Sequence, residues 1–509
     1  MATNSLTETP GHTGNLTEPH PRPHPRSAPP GKGRTSPVLT LVAAMLGFAL
    51  ITLDASVVNV ALPAIGDTLG GGMSGLQWVV DAYTLAFAAL MLSTGALSDR
   101  IGATRAYAIG ITVFTAASVA CGLAPSLPAL IGARVVQGMA AAVVLPASLS
   151  LVRQAYSDAA GRTRAVAMWA AGGSVAVALG PVAGGALTTA WDWSGIFFIN
   201  VPLGAVALVL LLRAPRSERR PAPLDLPGQA LAVVTLTALT FAVIEGGTTG
   251  LIALVVAVAG GALFLRTETR QPHPVVPLAL FRNRTVAITV AAGAACSVAF
   301  YGLVFVFSLF FQQVQGRSAL WAGLMFLPMT GLIAVTNVVA GKLAARVGPR
   351  VPMLAGQSLA VLGLLVLLFA DASTPAVGLA FLMVPLALGC ALTVPPLTSA
   401  MMEAVPSERA GLAAGVLNSA RQVAGGLGIA AFGGLVAGDF VSGMRVSLLI
   451  SAGLLAVTGL ATLGLRPEGA RGTARPATTA PQHRTAGGPG SGAEPRGGHP
   501  TRGVTKNRP

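Results

Sequence analysis

Apolar residues in this chain do not alternate with polar ones at a strand or helix period. They run in blocks of about 17–27 residues, long enough to cross a hydrocarbon core of about 30 Å as helices. A helix that is apolar all round must be buried in protein or lipid. Spans are predicted at about 38–60, 76–97, 106–124, 127–152, 164–188 and 196–212, then at 226–244 and 250–265. A further set follows at 285–311, 320–343, 351–370, 375–401, 411–437 and 445–465, which makes fourteen. Residues 1–37 and 466–509 are rich in Pro, Gly, Ser, Thr or Arg and cannot bury a core, so both are expected to be disordered tails. The first apolar run begins near Val38, so no leader segment is expected at the start.

Composition excludes a soluble enzyme of two or three domains. Of 509 residues 53% are hydrophobic and 10% charged, with mean hydropathy +0.70. A soluble surface cannot be wetted with so few charges. The net charge of +15 does not indicate a nucleic-acid partner, because the basic residues sit in short clusters between apolar runs. With the N-terminus in the cytoplasm, 29 of 33 Lys and Arg fall on the inner side, including Arg213, Arg216, Arg219 and Arg220. Both termini are therefore expected to be cytoplasmic. Trp78, Trp191, Trp193 and Trp321 fall near outer loops, as an interfacial belt requires. Cys121, Cys296 and Cys390 lie far apart in apolar segments and form neither a CxxC motif nor a disulfide framework.

An internal repeat is visible. Gly95-Ala-Leu-Ser-Asp99-Arg100-Ile-Gly102 closes the second span, and Gly341-Lys-Leu-Ala-Ala345-Arg346-Val-Gly348 closes the tenth. The expected organisation is 6 + 2 + 6: a six-helix bundle over 38–212, two inserted helices within 213–284 and a second six-helix bundle over 285–465. Paired halves with a site between them are a transporter signature.

Four segments carry a family resemblance. They are Leu53-Asp54-Ala-Ser-Val-Val-Asn59-Val-Ala-Leu-Pro63, the loop Gly95 to Arg105, Arg134-Val-Val-Gln137-Gly138, and Gly180-Pro181-Val-Ala-Gly184-Gly185. With Trp191-Asp-Trp193, Phe197 to Pro202 and Asn418-Ser-Ala-Arg421-Gln422, they resemble the fourteen-span drug:proton antiporters of the major facilitator superfamily. Ile244-Glu245-Gly246 and Leu327-Pro-Met-Thr330 resemble methylenomycin-type resistance exporters. The resemblance implies an all-α polytopic protein of the plasma membrane with the major facilitator fold. It implies no cofactor beyond the proton gradient, and as partners a small drug or antibiotic, protons and the lipid bilayer. A monomer is expected.

Candidate site residues follow. Asp54 lies about 24 Å along span one from the inner face at 1.5 Å per residue. Burial there disfavours its charge and a nearby cation favours it, so alternating exposure loads and unloads a proton. A fixed structural ion pair is the rival reading. Arg134 in span four and Asp81 in span two fall at a similar depth, so the three suggest a relay; a packing cation and a water-exposed acid are the alternatives. Gly95, Asp99, Arg100, Gly102 and Arg105 form a charged turn in which Asp99 is expected to cap span three. The family uses this loop as a conformational latch. Gly180, Pro181, Gly184 and Gly185 remove side chains where another helix approaches, and in the family they mark antiporters. Arg421, near the middle of span thirteen, is open to a substrate or a structural role. Glu245 and Glu403 sit at span ends, where solvated acids are ordinary.

The residues therefore favour a proton-coupled exporter of amphiphilic drugs or antibiotics, with a transporter of another small metabolite on the same fold as the alternative. A membrane enzyme lacks intramembrane His and HExxH, an ATP-driven pump lacks GxxxxGK[ST], and a channel lacks repeated filters. A cationic substrate would suit Asp54 and Asp81, and a neutral or acidic one Arg421.

Overall fold

The computed structural model describes residues 36–214, 217, 219, 225–271, 274, 276–406 and 409–465. The two predicted tails and the loop arginines Arg216 and Arg220 lie outside the described residues, apart from Ser36 and Pro37. Helices α1 (Pro37–Leu69), α2 (Gly72–Ile101), α3 (Ala103–Gly122), α4 (Leu127–Ala155) and α5 (Ala159–Ala190) come first. They are followed by α6 (Gly195–Phe198), α7 (Asn200–Leu211), α8 (Leu226–Glu245) and α9 (Gly247–Glu268). The rest are α10 (Arg284–Leu309), a π segment (Phe310–Val314), α11 (Ala319–Met325), α12 (Leu327–Gly331), α13 (Ile333–Val347), α14 (Arg350–Leu367), α15 (Ala376–Leu382), α16 (Val384–Glu403), α17 (Ala410–Val436) and α18 (Phe440–Thr462). No strand occurs among the described residues.

Each predicted apolar block is helical, and prolines explain three of the breaks inside blocks, while the break at Leu332 between α12 and α13 has no proline after it. Pro202, Pro328 and Pro385 follow the breaks at Ile199, Phe326 and Met383, because each ring lacks a donor and crowds the carbonyl four residues back. Eleven helical stretches among the described residues are long and apolar enough to cross a membrane, or twelve when α2, bent by 64°, counts as one. The α6–α7 stretch is shorter. In α17 the polar run Asn418 to Gln422 interrupts the apolar sequence. The lipid-facing character is plain on α9, whose most apolar window is 11% covered by protein and which exposes Leu251, Ile252, Val255 and Val258. Such an apolar belt requires a bilayer around it. The protein is a multi-pass membrane protein.

The helices from α1 to α7 pack mainly on one another, and so do those from α10 to α18. The two sets meet where α2 lies on α17, α5 on α11 and α1 on α10. This contact is concentrated toward the end that carries the α1–α2 turn, where Gly70, Gly71 and Gly72 all adopt positive φ. There Gln77 donates to Ala430 O (2.6 Å), Ser308 to Asn59 O (2.8 Å) and Gln312 to Val60 O (3.0 Å). Helix α8 lies on both α2 and α17, and α9 packs on α8.

Three local expectations are corrected. Helix α2 continues through Asp99 to Ile101, so Gly102 (φ 92°) caps α3 and no side chain does. Trp193 is buried in the core, edge-on to Phe197, and does not stand at a lipid interface. Glu245 is not merely solvated: its Oε1 accepts from Ser74 Oγ (2.8 Å) and Trp78 Nε1 (3.1 Å), tying α8 to α2. The repeat has a structural counterpart, since Gly102 and Gly348 (φ 80°) end α2 and α13 in the same left-handed region. All three cysteines are buried and free.

Candidate functional site

The site begins with close helix packing. At Gly138 a Cβ would strike the Tyr83 carbonyl, so only glycine lets α4 lie this close to α2. That approach brings the Arg134 guanidinium 4.3 Å from the centre of the Tyr83 ring and lets its Nε donate to Val79 O (3.0 Å). On α1, Val57 O would lie 2.6 Å from a Cβ at Gly184, while a Cβ at Gly180 would meet Ser56 Oγ. The glycines of the Gly180–Gly185 motif thus seat α5 against α1, and Gly185 seats it against the Ala319 carbonyl of α11.

Asp54 and Arg134 form an ion pair between Oδ2 and Nη1, both completely buried. Gln137 shares the face of Arg134 one turn on. Its Nε2 donates to Asp54 Oδ1 (2.7 Å), and its Oε1 accepts from Arg134 Nη1 (2.8 Å). Asn200, the first residue of α7, donates to Asp54 Oδ1 (2.9 Å) and to Ser118 Oγ (2.9 Å). Ser118 on α3 in turn donates to Phe197 O (2.9 Å). Helices α4 and α7 therefore converge on one carboxylate of α1, and Ser118 ties α3 to the cluster through Asn200 and Gln137. Removing one partner from such a pair strands a buried charge, at a cost of about 3–5 kcal/mol.

A cavity of about 430 Å³ lies beside this cluster, between the two helix sets. Tyr83 separates them: it lines the cavity, it carries Arg134 against its ring, and its hydroxyl donates to Ile51 O (3.2 Å). Phe48 and Trp169, stacked at 4.3 Å, form an aromatic wall on the first set. On the second set Asn418, Arg421 and Gln422 line it from one face of α17. A neighbouring pocket of about 160 Å³ shares Arg421 and Tyr301.

The expected relay is only partly assembled. Asp54 and Arg134 meet. Asp81 is buried at the α2–α17 seam, where a Cβ on Gly426 would lie 3.3 Å from its Oδ1, and neither oxygen has a hydrogen-bond donor among the described residues. Neither Asp54 nor Asp81 lines the cavity, whereas Arg421 does. Asp99, Arg100 and Arg105 are exposed at the far end of α2 and the start of α3, with no ion pair among the described residues. Gly95 faces open space and is not a packing glycine. Tyr83, Ser118, Gln137 and Asn200 join the site without being among the candidate residues of the sequence. Gln137 and Asn200 had a signal, being amides inside apolar spans, but Ser118 and Tyr83 had none.

A family model described as Major Facilitator Superfamily matches residues 44–429. The chain belongs to the Major Facilitator Superfamily. Within this superfamily it is 40% identical over 411 residues to the Multidrug resistance protein Stp of Mycobacterium tuberculosis, covering 79% of this chain and 76% of that one. It is 36% identical over 428 residues to the Methylenomycin A resistance protein of Streptomyces coelicolor, covering 82% and 90%. The crystal structure of a D-xylose–proton symporter shares the fold, with TM-score 0.63 at 15% identity over 85% of this chain and 99% of that one. The major facilitator superfamily comprises transporters, and the fold seen here is a transporter fold.

Proposed function

We propose that this protein exports small amphiphilic drugs or antibiotics across the plasma membrane in exchange for protons. The observation that carries the reading is the mostly apolar cavity between two packed helix sets, with a buried carboxylate–arginine pair one side chain away. Relatives at 36–40% identity are named for multidrug and methylenomycin A resistance, which supports drugs as cargo. Transport of another small metabolite uses the same geometry and is the second reading.

The proposed topology is fourteen spans arranged 6 + 2 + 6 with both termini in the cytoplasm, acting as a monomer. Under it, the seal at Gln77, Asn59 and Val60 lies on the outer side, so the cavity is poised to receive cargo from within. Ser217 and Thr248 test this. Ser217 exchanges hydrogen bonds with Thr104 and Gln154 at the far end of the bundle, whereas Thr248 follows Glu245 at the α1–α2 turn end. Single cysteines there should label from inside and outside respectively; labelling of both from one side breaks the arrangement.

In the proposed cycle, a proton reaching Asp54 removes the charge that holds Arg134, Gln137 and Asn200 around it. That loosens α1 against α4 and α7. Asp81 is a second proton candidate, since a buried carboxylate without donors is costly when charged and its seam must open as the sets rock. The exposed Asp99, Arg100 and Arg105 act as the latch in the opposite state. Collapsing the proton gradient while ATP stays high should stop efflux of a fluorescent drug; continued efflux would reject proton coupling.

A further inference from the structure

The cavity shows a charge asymmetry that bears on cargo chemistry. Among its described lining residues, Arg421 is the one charged side chain. The acids that would attract a cation are elsewhere: Asp54 is consumed by Arg134, Gln137 and Asn200 behind Tyr83, and Asp81 faces Gly426 on the seam.

Arg421 is placed as a ligand-facing group. A Cβ on Gly293 of α10 would sit 3.1 Å from Arg421 Cγ, so this glycine makes room for the stem. Asn418 and Gln422 share its face of α17 and flank it on the cavity wall. The guanidinium forms no ion pair or hydrogen bond with the described residues, and its Nε is buried without an acceptor. A guanidinium presents paired donors that match a carboxylate or enolate, and such charge-assisted bonds strengthen away from water. A cation in the same space would meet like charge with no counter-ion on the wall. The Phe48–Trp169 stack opposite offers a flat apolar surface.

We infer that the preferred cargo is a flat, apolar molecule bearing one acidic oxygen group, a carboxylate, enolate or phenolate, held by Arg421. This rests on the export reading for its claim that the occupant is cargo; the binding preference itself does not.

Tryptophan emission provides the readout, since it excites a bound dansyl group and Trp169 stands on the cavity wall; a Trp169→Phe variant gives the share of the signal that comes from the cavity. The purified full-length protein in lipid nanodiscs is titrated with dansyl-phenylalanine, its methyl ester and dansylcadaverine, which are anionic, neutral and cationic. The anion should bind about tenfold more tightly than the ester, with the cation weakest. Arg421→Gln should erase the difference between anion and ester, and Arg421→Lys should keep part of it. Equal or tighter binding of the cation, no measurable binding of the anion, or a preference that survives Arg421→Gln overturns the inference. The wild-type comparison needs no variant, so a poorly folding substitution leaves the test intact. Export of the three probes from loaded vesicles separates the two claims. An anion preference without export of any probe rejects the export reading alone, whereas export without the preference rejects the cargo assignment alone.

Discussion

Arg134 and Arg421 are both arginines inside helices of the two packed sets, yet their surroundings are opposite. Arg134 is completely buried, bonded to Asp54, Gln137 and Val79 O, and stacked on Tyr83. Arg421 is half-buried, borders the cavity and has no hydrogen-bond or ion-pair partner among the described residues. A charge paired with a buried carboxylate holds structure and responds when its partner changes protonation. A charge with unmade bonds is available to a ligand. Under the proposed function, the difference matches proton coupling in the first half and cargo recognition in the second, with Tyr83 and the cavity between them.

Stability separates the two arginines most sharply. Arg134→Ala should leave Asp54 buried and unpaired and cost about 3–5 kcal/mol, whereas Arg421→Ala should cost about 1 kcal/mol or less. Thermal unfolding of the purified variants in detergent checks this. Similar losses for both would erase the contrast.

A smaller effect is expected one bond out. Gln137→Leu removes a donor to Asp54 and an acceptor from Arg134 while keeping the volume, and should cost about 1–3 kcal/mol. The same unfolding measurement applies. A loss within error would mean that the amide is a bystander to the ion pair.

How much of this was legible in the chain depends on what each feature needs. The helical blocks were, because length and hydropathy suffice to define them. The Asp54–Arg134 pair was too, because depth along two spans of opposite direction brings them level. Rotational phase was not. Helices that are apolar all round carry no stripe to show which way Asp81 faces, and it turns to α17 away from Arg134. Asp99 failed as a cap because α2 runs on to Gly102, and the positive φ that ends it is a backbone property of the glycine. Glu245 looked like a solvated end until the fold set Ser74 and Trp78 beside it. Ser118 is one hydroxyl among many, and only the convergence of four helices gives it a role.

Under the proposed function Asp54 carries the coupled proton while cargo sits elsewhere. Drug-induced proton release from protein reconstituted in vesicles, at matched protein amounts, tests it directly. The wild type should release protons on drug addition, Asp54→Asn should release none while still binding drug, and Asp54→Glu should retain part. Equal release from the wild type and Asp54→Asn would contradict the account and move coupling to Asp81.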